Sequence, residues 1–74
     1  MGETIVQARH TWSTGYCTRR IELVRYETGD WARNRYAVVV YELIGNVFDL
    51  QGSTSYPYRA DALREYERTV AATV

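Results

Sequence analysis

Apolar and polar residues alternate along much of the chain, which is the pattern of β-strands that bury one face. Two early segments show it, "TIVQARHTW" at residues 4 to 12 and "CTRRIELVRYE" at residues 17 to 27. In the second segment Ile21 and Leu23 fall on one side, while the other side carries Arg20, Glu22, Val24 and Tyr26. The pattern predicts two strands, with a turn at residues 13 to 15 between them.

A second pair of strands is predicted by "YELIGNVFDL" at residues 41 to 50, where Gly45-Asn46 separates two alternating runs. A Gly-Asn pair in this position predicts a two-residue hairpin turn of the primed type. The turn fixes a register in which Leu43 faces Phe48 and Glu42 faces Asp49. One face of this hairpin then carries Val39, Tyr41, Leu43, Phe48 and Leu50. We interpret that face as the core face.

Polar and turn-forming residues follow in the cluster "QGSTSYP" at residues 51 to 57, and they predict the end of the strand. The next segment, "RADALREYERTVAA" at residues 59 to 72, repeats apolar residues at the spacing of one helical stripe. We therefore predict a C-terminal helix that lies across the core face. The predicted fold class is α+β, an antiparallel meander of three or four strands with one C-terminal helix packed on one face, in a single domain of residues 1 to 74.

Length and composition limit the function classes. A chain of 74 residues has a small core and gains stability from association with a partner. Hydrophobic residues at 46% and charged residues at 24% indicate a folded chain rather than a disordered tail. The formal net charge of zero removes the general attraction to nucleic acid. Because no apolar run is long enough to span a bilayer, we expect a soluble protein of the cytoplasm.

Few residues offer catalytic or metal-binding chemistry. The single cysteine, Cys17, excludes an internal disulfide, and with His10 it is too small a ligand set for zinc. A thiol–imidazole dyad of these two residues is one interpretation, and a half-buried cysteine with a structural histidine is the other. The chain also has no Gly-rich phosphate loop and no nucleophile elbow. We predict a protein that is not an enzyme and uses no metal or cofactor.

The sheet face opposite the predicted core face is the first candidate surface, because one helix covers only one face of a sheet. Tyr26, Tyr36 and Val40 are its candidate contact residues, and the face also includes Val24, Val38, Ile44 and Val47. An apolar face of this kind has three interpretations: the N-terminal segment folds over it, two sheets meet there in a homodimer, or another macromolecule docks on it.

Glu42 and Asp49 form a second candidate site, because like charges directly opposite each other destabilise a strand pair. In a register where Tyr26 faces Tyr36, Arg20 falls opposite Glu42 and supplies the missing cation. An internal bridge is therefore one interpretation of these three side chains. The alternatives are an acidic spot that takes a basic residue from a partner and a paired-carboxylate acid/base site.

The third candidate is the connection at residues 28 to 35, which contains Trp31, Arg33 and Arg35. Tryptophan and arginine are enriched at binding hot spots, so we predict contact with a partner here. The alternative is that Trp31 folds back on the edge of the sheet while the arginine side chains extend into water.

In size and predicted architecture the chain resembles the small α+β inhibitors of anti-CRISPR type that phages and mobile elements encode. This resemblance implies a protein that occupies a surface of a larger protein or ribonucleoprotein complex and inhibits a host defence system, in the host cytoplasm. A sheet followed by "YPYRADALREYE" at residues 56 to 67 also resembles AP2-type and integrase arm-binding domains. That second resemblance implies DNA binding as the alternative function, with contacts from Arg19, Arg20, Arg25, Arg33 and Arg35.

Overall fold

The computed structural model describes residues 4–26 and 35–73. Its elements are β1 (Thr4–Thr14), β2 (Cys17–Tyr26), β3 (Tyr36–Ile44), β4 (Val47–Tyr56) and the helix α1 (Arg59–Ala71). The strands form one sheet in the order β1-β2-β3-β4, and every neighbouring pair is antiparallel. The predicted α+β fold, a meander with one C-terminal helix, is confirmed, and the meander has four strands.

The β3–β4 hairpin has the predicted turn and register. Gly45 has a φ of +63°, and no other described residue has a positive φ. A positive φ at the first central position alone is the pattern of a type II′ turn, which glycine adopts without a steric cost. Leu43 pairs with Phe48, and Glu42 pairs with Asp49, as predicted.

β4 is longer than the sequence pattern predicted. A bulge at position 51 shifts the register, so that Tyr41 pairs with Leu50 but Val40 pairs with Gly52. The strand then continues to Tyr56 through residues that were predicted to end it. Residues 51 to 55 of this extension are exposed, and Tyr56 at its end is half-buried against the helix core.

The register between β2 and β3 differs by one residue from the predicted one. Arg25, not Tyr26, pairs with Tyr36, and Arg19, not Arg20, pairs with Glu42. The backbone N–H of Tyr26 donates to the carbonyl of Arg35 over 2.7 Å, which joins the two strands at the end of this pair. A shift of one residue moves every side chain of one strand to the other face relative to its partner strand.

The helix therefore covers the opposite face of β3 from the predicted one. The buried residues of this helix–sheet core are Ile21 and Leu23 from β2, Val38 from β3 and Ala62 from the helix itself. The side chains packed around them are Ala8, Trp12, Tyr36, Val40, Tyr56, Leu63, Tyr66 and Val70. The prediction that Tyr36, Val38 and Val40 lie on an uncovered face is wrong. Val39, Tyr41, Leu43, Phe48 and Leu50, the predicted core face, lie on the face without the helix.

Side chains at both ends of the helix contact β1. Near its start, the side chain of Arg59 donates to the Gln7 amide oxygen over 3.2 Å. Just after its end, the hydroxyl of Thr73 lies 3.4 Å from Nε2 of His10. Ala62 is fully buried in the first turn of the helix, where its small side chain packs with Ile21, Leu23 and Val38 of the sheet. The end of the sheet that carries the β3–β4 turn extends beyond this contact.

Candidate functional site

The face of the sheet without the helix carries a group of aromatic and aliphatic side chains near the β3–β4 turn. Strand alternation and the observed registers place five residues together there. We call them the hairpin patch: Arg20, Tyr41, Leu43, Phe48 and Leu50. Leu50 is 58% exposed, and the other four are half-buried. The alternation along the hairpin predicts a core position for four of these five residues, all except Arg20, and that prediction is wrong.

The two apolar residues beside the turn are exposed on the opposite face. Ile44 is 55% exposed and Val47 is 66% exposed, and neither packs against the helix core. Tyr16, in the β1–β2 turn at the same end of the sheet, is fully exposed. This end of the sheet therefore presents apolar surface on both sides. A group of exposed apolar side chains of this kind is typical of an interaction surface.

Arg20 and Phe48 are in direct contact in the hairpin patch. The guanidinium carbon of Arg20 lies 3.8 Å from the centroid of the Phe48 ring, a cation–π arrangement. Nε of Arg20 also donates to the hydroxyl of Thr11 over 3.2 Å. The two contacts hold the arginine side chain along the sheet surface, so its planar group and the phenyl ring form one continuous contact area.

Tyr41 lies beside this pair. Partial burial raises the pKa of the Tyr41 hydroxyl above its usual value. The negative charge of Glu22 raises this pKa further, and Tyr26 adds a smaller increase. Arg9 and Arg20 act in the opposite direction and lower it. A tyrosine hydroxyl is protonated at neutral pH in any case, and this one can donate a hydrogen bond in the patch.

Glu22 is the one buried charged residue on this face among the described residues, and it is paired. It is 6% exposed, and its carboxylate accepts a hydrogen bond from Nε of Arg9 over 2.6 Å. Beside it, Val24, Ala37 and Val39 form a second buried cluster, with Tyr26 and Tyr41 packed against it. The middle of the face is therefore charge-compensated and apolar.

Glu42 and Asp49 face each other across β3 and β4 as predicted, but a different arginine supplies the cation. Arg19 Nε lies 3.6 Å from the carboxylate of Glu42. The prediction that Arg20 bridges Glu42 is wrong, because the one-residue register difference places Arg20 opposite Tyr41, on the other face. An internal Arg–Glu bridge nevertheless exists, so Glu42 does not stand as an isolated charge opposite Asp49.

The remaining predicted contact residues do not form one site. Trp31 and Arg33 lie outside the described residues. Arg35 is exposed just before β3, and Tyr26 lies on the face without the helix. Tyr36 and Val40 pack against the helix core, so they cannot be contact residues of an uncovered face.

The arginines of the DNA-binding alternative are divided between the two faces. Arg19 and Arg25 lie on the helix side of β2, at the positions that pair with Glu42 and Tyr36. Arg20 lies on the other side. A sheet that enters the major groove reads bases from one face, so this division gives the DNA-binding interpretation less support.

His10 and Cys17 have separate surroundings. His10 stacks on Trp12 with ring centroids 5.7 Å apart, and Thr73 approaches its Nε2. The sulfur of Cys17 lies 3.3 Å from the hydroxyl of Thr14, to which it is directly paired. The strand register separates His10 from Thr14 by four positions, or about 13 Å. The thiol–imidazole dyad is therefore not formed.

Within residues 4–26 and 35–73, no three histidine, cysteine or carboxylate side chains lie close enough to hold a metal ion. In the same part of the chain, no helix has the length and apolar character needed to cross a membrane.

No known protein family, curated protein or solved structure matches this chain.

Proposed function

We propose that this protein acts without catalysis, by occupying a surface of a larger protein or protein complex through the hairpin patch. One observation carries this proposal. The exposed Leu50 lies close to the stacked Arg20–Phe48 pair, on a sheet face that the helix does not cover. Arginine and aromatic side chains are enriched at binding hot spots. Exposed apolar residues around them can exclude water from the contact when a partner binds.

The charges around the patch favour a protein as the partner. Arg9 is paired with Glu22, the guanidinium of Arg20 lies on the Phe48 ring, and the formal net charge of the chain is zero. Binding to a nucleic acid backbone requires several cations that can neutralise phosphates together. A flat, mixed aromatic and aliphatic patch is better suited to the apolar centre of a protein interface.

The more specific form of the proposal is an inhibitor of a host defence system such as CRISPR-Cas, encoded by a phage or mobile element. Its support is the size of the chain and its α+β architecture. The direct test is to express the chain in bacteria that are immune to a phage through CRISPR-Cas and to count plaques. Restored plaque formation supports inhibition, and unchanged immunity against each system tested argues against it.

The surface itself is tested by crosslinking and affinity. A photo-reactive amino acid at position 50 should crosslink one protein in lysate of the source cells, with or without nuclease, while the same group at the exposed helix position Glu67 should not. The captured protein is then purified, and its affinity is measured directly. We expect the affinity to change little between 50 and 200 mM salt, whereas phosphate-dominated binding falls by about 10³-fold or more.

Two matched variants decide which face makes the contact. Leu50→Asp should weaken binding to the purified partner by at least about tenfold, which corresponds to about 1.4 kcal/mol. Val47→Asp introduces the same charge at a similarly exposed position of the same hairpin, on the opposite face, and should have a much smaller effect. If only Val47→Asp abolished binding, the contact would lie on the helix side of the hairpin. If neither substitution weakened binding, the hairpin would not be part of the interface.

A further inference from the structure

The edge strand β4 has the features of a self-pairing surface. Among the described strands it has a neighbour on one side only, and every residue from Asp49 to Ser55 is exposed. An edge strand presents backbone N–H and C=O groups that can pair with another chain, and proteins commonly protect such edges with charges, bulges or a covering element.

The two edges of this sheet are protected differently. β1 contains the charged Arg9 near its middle, a bulge at Gln7, and the side chain of Arg59 bonded to that same Gln7. β4 has no charged residue from position 50 to position 58. A copy of β1 placed against itself about Arg9 would oppose like charges, whereas β4 has no such obstacle over this length.

Two features limit the part of β4 that can pair outward. The bulge at position 51 interrupts the regular alternation of side chains, so that Leu50 and Gly52 point to opposite faces. At the other end, Pro57 has no backbone N–H to donate to a ladder. Five regular residues, 52 to 56, lie between these two limits.

These five residues are complementary to themselves in antiparallel orientation. When the segment "GSTSY" is paired with a second copy about its central residue, Thr54 faces Thr54, and Ser53 faces Ser55. Hydroxyl side chains opposite each other can form cross-strand hydrogen bonds. Gly52 then faces Tyr56, and an aromatic ring that covers a glycine on the neighbouring strand is a favourable pair.

The faces of the sheet agree with this pairing. Thr54 and Tyr56 pair with Val38 and Tyr36 on the helix side, and Gly52 pairs with Val40 on that same side. Ser53 and Ser55 alternate with them and point to the other side. Each proposed partner therefore points to the same side of the sheet as the residue opposite it, which a regular antiparallel ladder requires.

We infer that two copies of this chain associate through β4, antiparallel and centred on Thr54, to form a continuous eight-stranded sheet with a two-fold axis. The contact is isologous, so it closes after two copies and leaves the two β1 strands as the outer edges. It removes the exposed edge of β4 from water and gives a chain with a small core additional buried surface. The paired residues, 52 to 56, include none of the residues of the hairpin patch, and the inference does not depend on the proposed function.

The first measurement is sedimentation equilibrium of the purified chain over concentrations from about 1 µM to about 1 mM, a range that detects weak to moderate association. We expect a monomer–dimer equilibrium with no larger species. A chain that is monomeric over the whole range, or one that forms an open series of oligomers, overturns the inference.

Cysteine crosslinking then tests the register. In a Cys17→Ser background, Thr54→Cys places two thiols directly across the two-fold axis, where cross-strand Cα atoms lie about 4.5 to 5.5 Å apart, within disulfide range. Ser55→Cys is the matched control, because its two copies are about 8 Å apart in this register. We expect rapid oxidation to a dimer for Thr54→Cys and not for Ser55→Cys. Equal rates, or a faster rate for Ser55→Cys, overturn the register.

A charge swap tests whether the dimer measured in solution forms through β4. Thr54→Lys or Thr54→Glu alone sets like charges opposite each other and should weaken the dimer at least about tenfold. An equal mixture of the two variants should recover a heterodimer. Thr11→Lys on the other edge strand is the control and should leave the dimer unchanged. A dimer that survives both single substitutions, or a mixture that does not recover, places the contact elsewhere.

Discussion

The guanidinium of Arg20 lies over the ring of Phe48 at 3.8 Å, although β3 separates the strands that carry these two residues. The arginine side chain therefore crosses the surface of β3 on the face without the helix. Its position is reinforced by the hydrogen bond to Thr11 on β1. The two contacts of Arg20 connect β1, β2 and β4 across the surface of β3, and they define the centre of the hairpin patch.

The coupling between Arg20 and Phe48 is expected to be measurable in the free protein. A double-mutant cycle with Arg20→Gln and Phe48→Leu, measured by urea unfolding, should give a coupling energy of about 0.5 to 1 kcal/mol, the usual range for an exposed cation–π pair. A cycle with Arg20→Gln and Val47→Leu serves as the control, because Val47 lies on the other face. A coupling of zero for the first pair would show that the contact is not held in solution.

Substitutions of two leucines should distinguish the covered face from the uncovered one. Leu23 is fully buried under the helix and Leu50 is 58% exposed. Leu23→Ala should lower the free energy of unfolding by about 2 to 5 kcal/mol, because it leaves a cavity in the core. Leu50→Ala should change it by no more than about 0.5 kcal/mol. If chemical denaturation gave the reverse order, the assignment of the two faces would be incorrect.

Removal of Arg9 should expose the cost of burying Glu22. Arg9→Ala leaves a carboxylate that is 6% exposed without its hydrogen-bond donor, and should lower the free energy of unfolding by about 1 to 3 kcal/mol. The additional change Glu22→Gln removes the buried charge and should recover part of that loss. Arg64→Ala, which breaks the exposed helix pair with Asp61, should cost less than about 1 kcal/mol. Equal losses for Arg9→Ala and Arg64→Ala would contradict the role of burial.

Two glycines in hairpin turns should respond differently to the same substitution. Neither Gly45 nor Gly15 has another atom within 4 Å of an added Cβ, so steric contact does not separate them. Gly45 has a φ of +63°, and Gly45→Ala should cost about 1 to 2 kcal/mol in thermal or urea unfolding. Gly15→Ala should be neutral or stabilise the protein by up to about 1 kcal/mol. A loss at Gly15 as large as that at Gly45 would show that backbone conformation is not the cause.

Local pattern was sufficient for much of the fold. Alternation in "CTRRIELVRYE" separated Ile21 and Leu23 from the polar side of β2, and both residues are fully buried under the helix. Gly45-Asn46 fixed the pairing of Leu43 with Phe48, because a two-residue turn leaves one register. The apolar stripe of residues 59 to 72 predicted the helix that is observed at Arg59–Ala71. Each of these features depends on neighbours within a few residues.

The candidate site could not be predicted in the same way. Both faces of β3 are apolar, with Val38 and Val40 on one and Val39 and Tyr41 on the other, so periodicity did not indicate which face is covered. The available signal was on β2, where Arg20 and Glu22 mark the side away from the helix. The uncovered face of β3 can be inferred from these two residues only when the register between β2 and β3 is known.

The sequence by itself therefore determined the type and order of the elements, the turn of the β3–β4 hairpin, and the buried side of β2. The tertiary structure decided the register across the connection between β2 and β3, and with it the placement of Tyr41, Phe48 and Leu50 on the face without the helix. The physical reason is the strand period of two, since a shift of one residue in a non-local pairing exchanges the faces completely. No local turn rule fixes such a pairing, and only the packing of the helix against β2 and β3 together selects it.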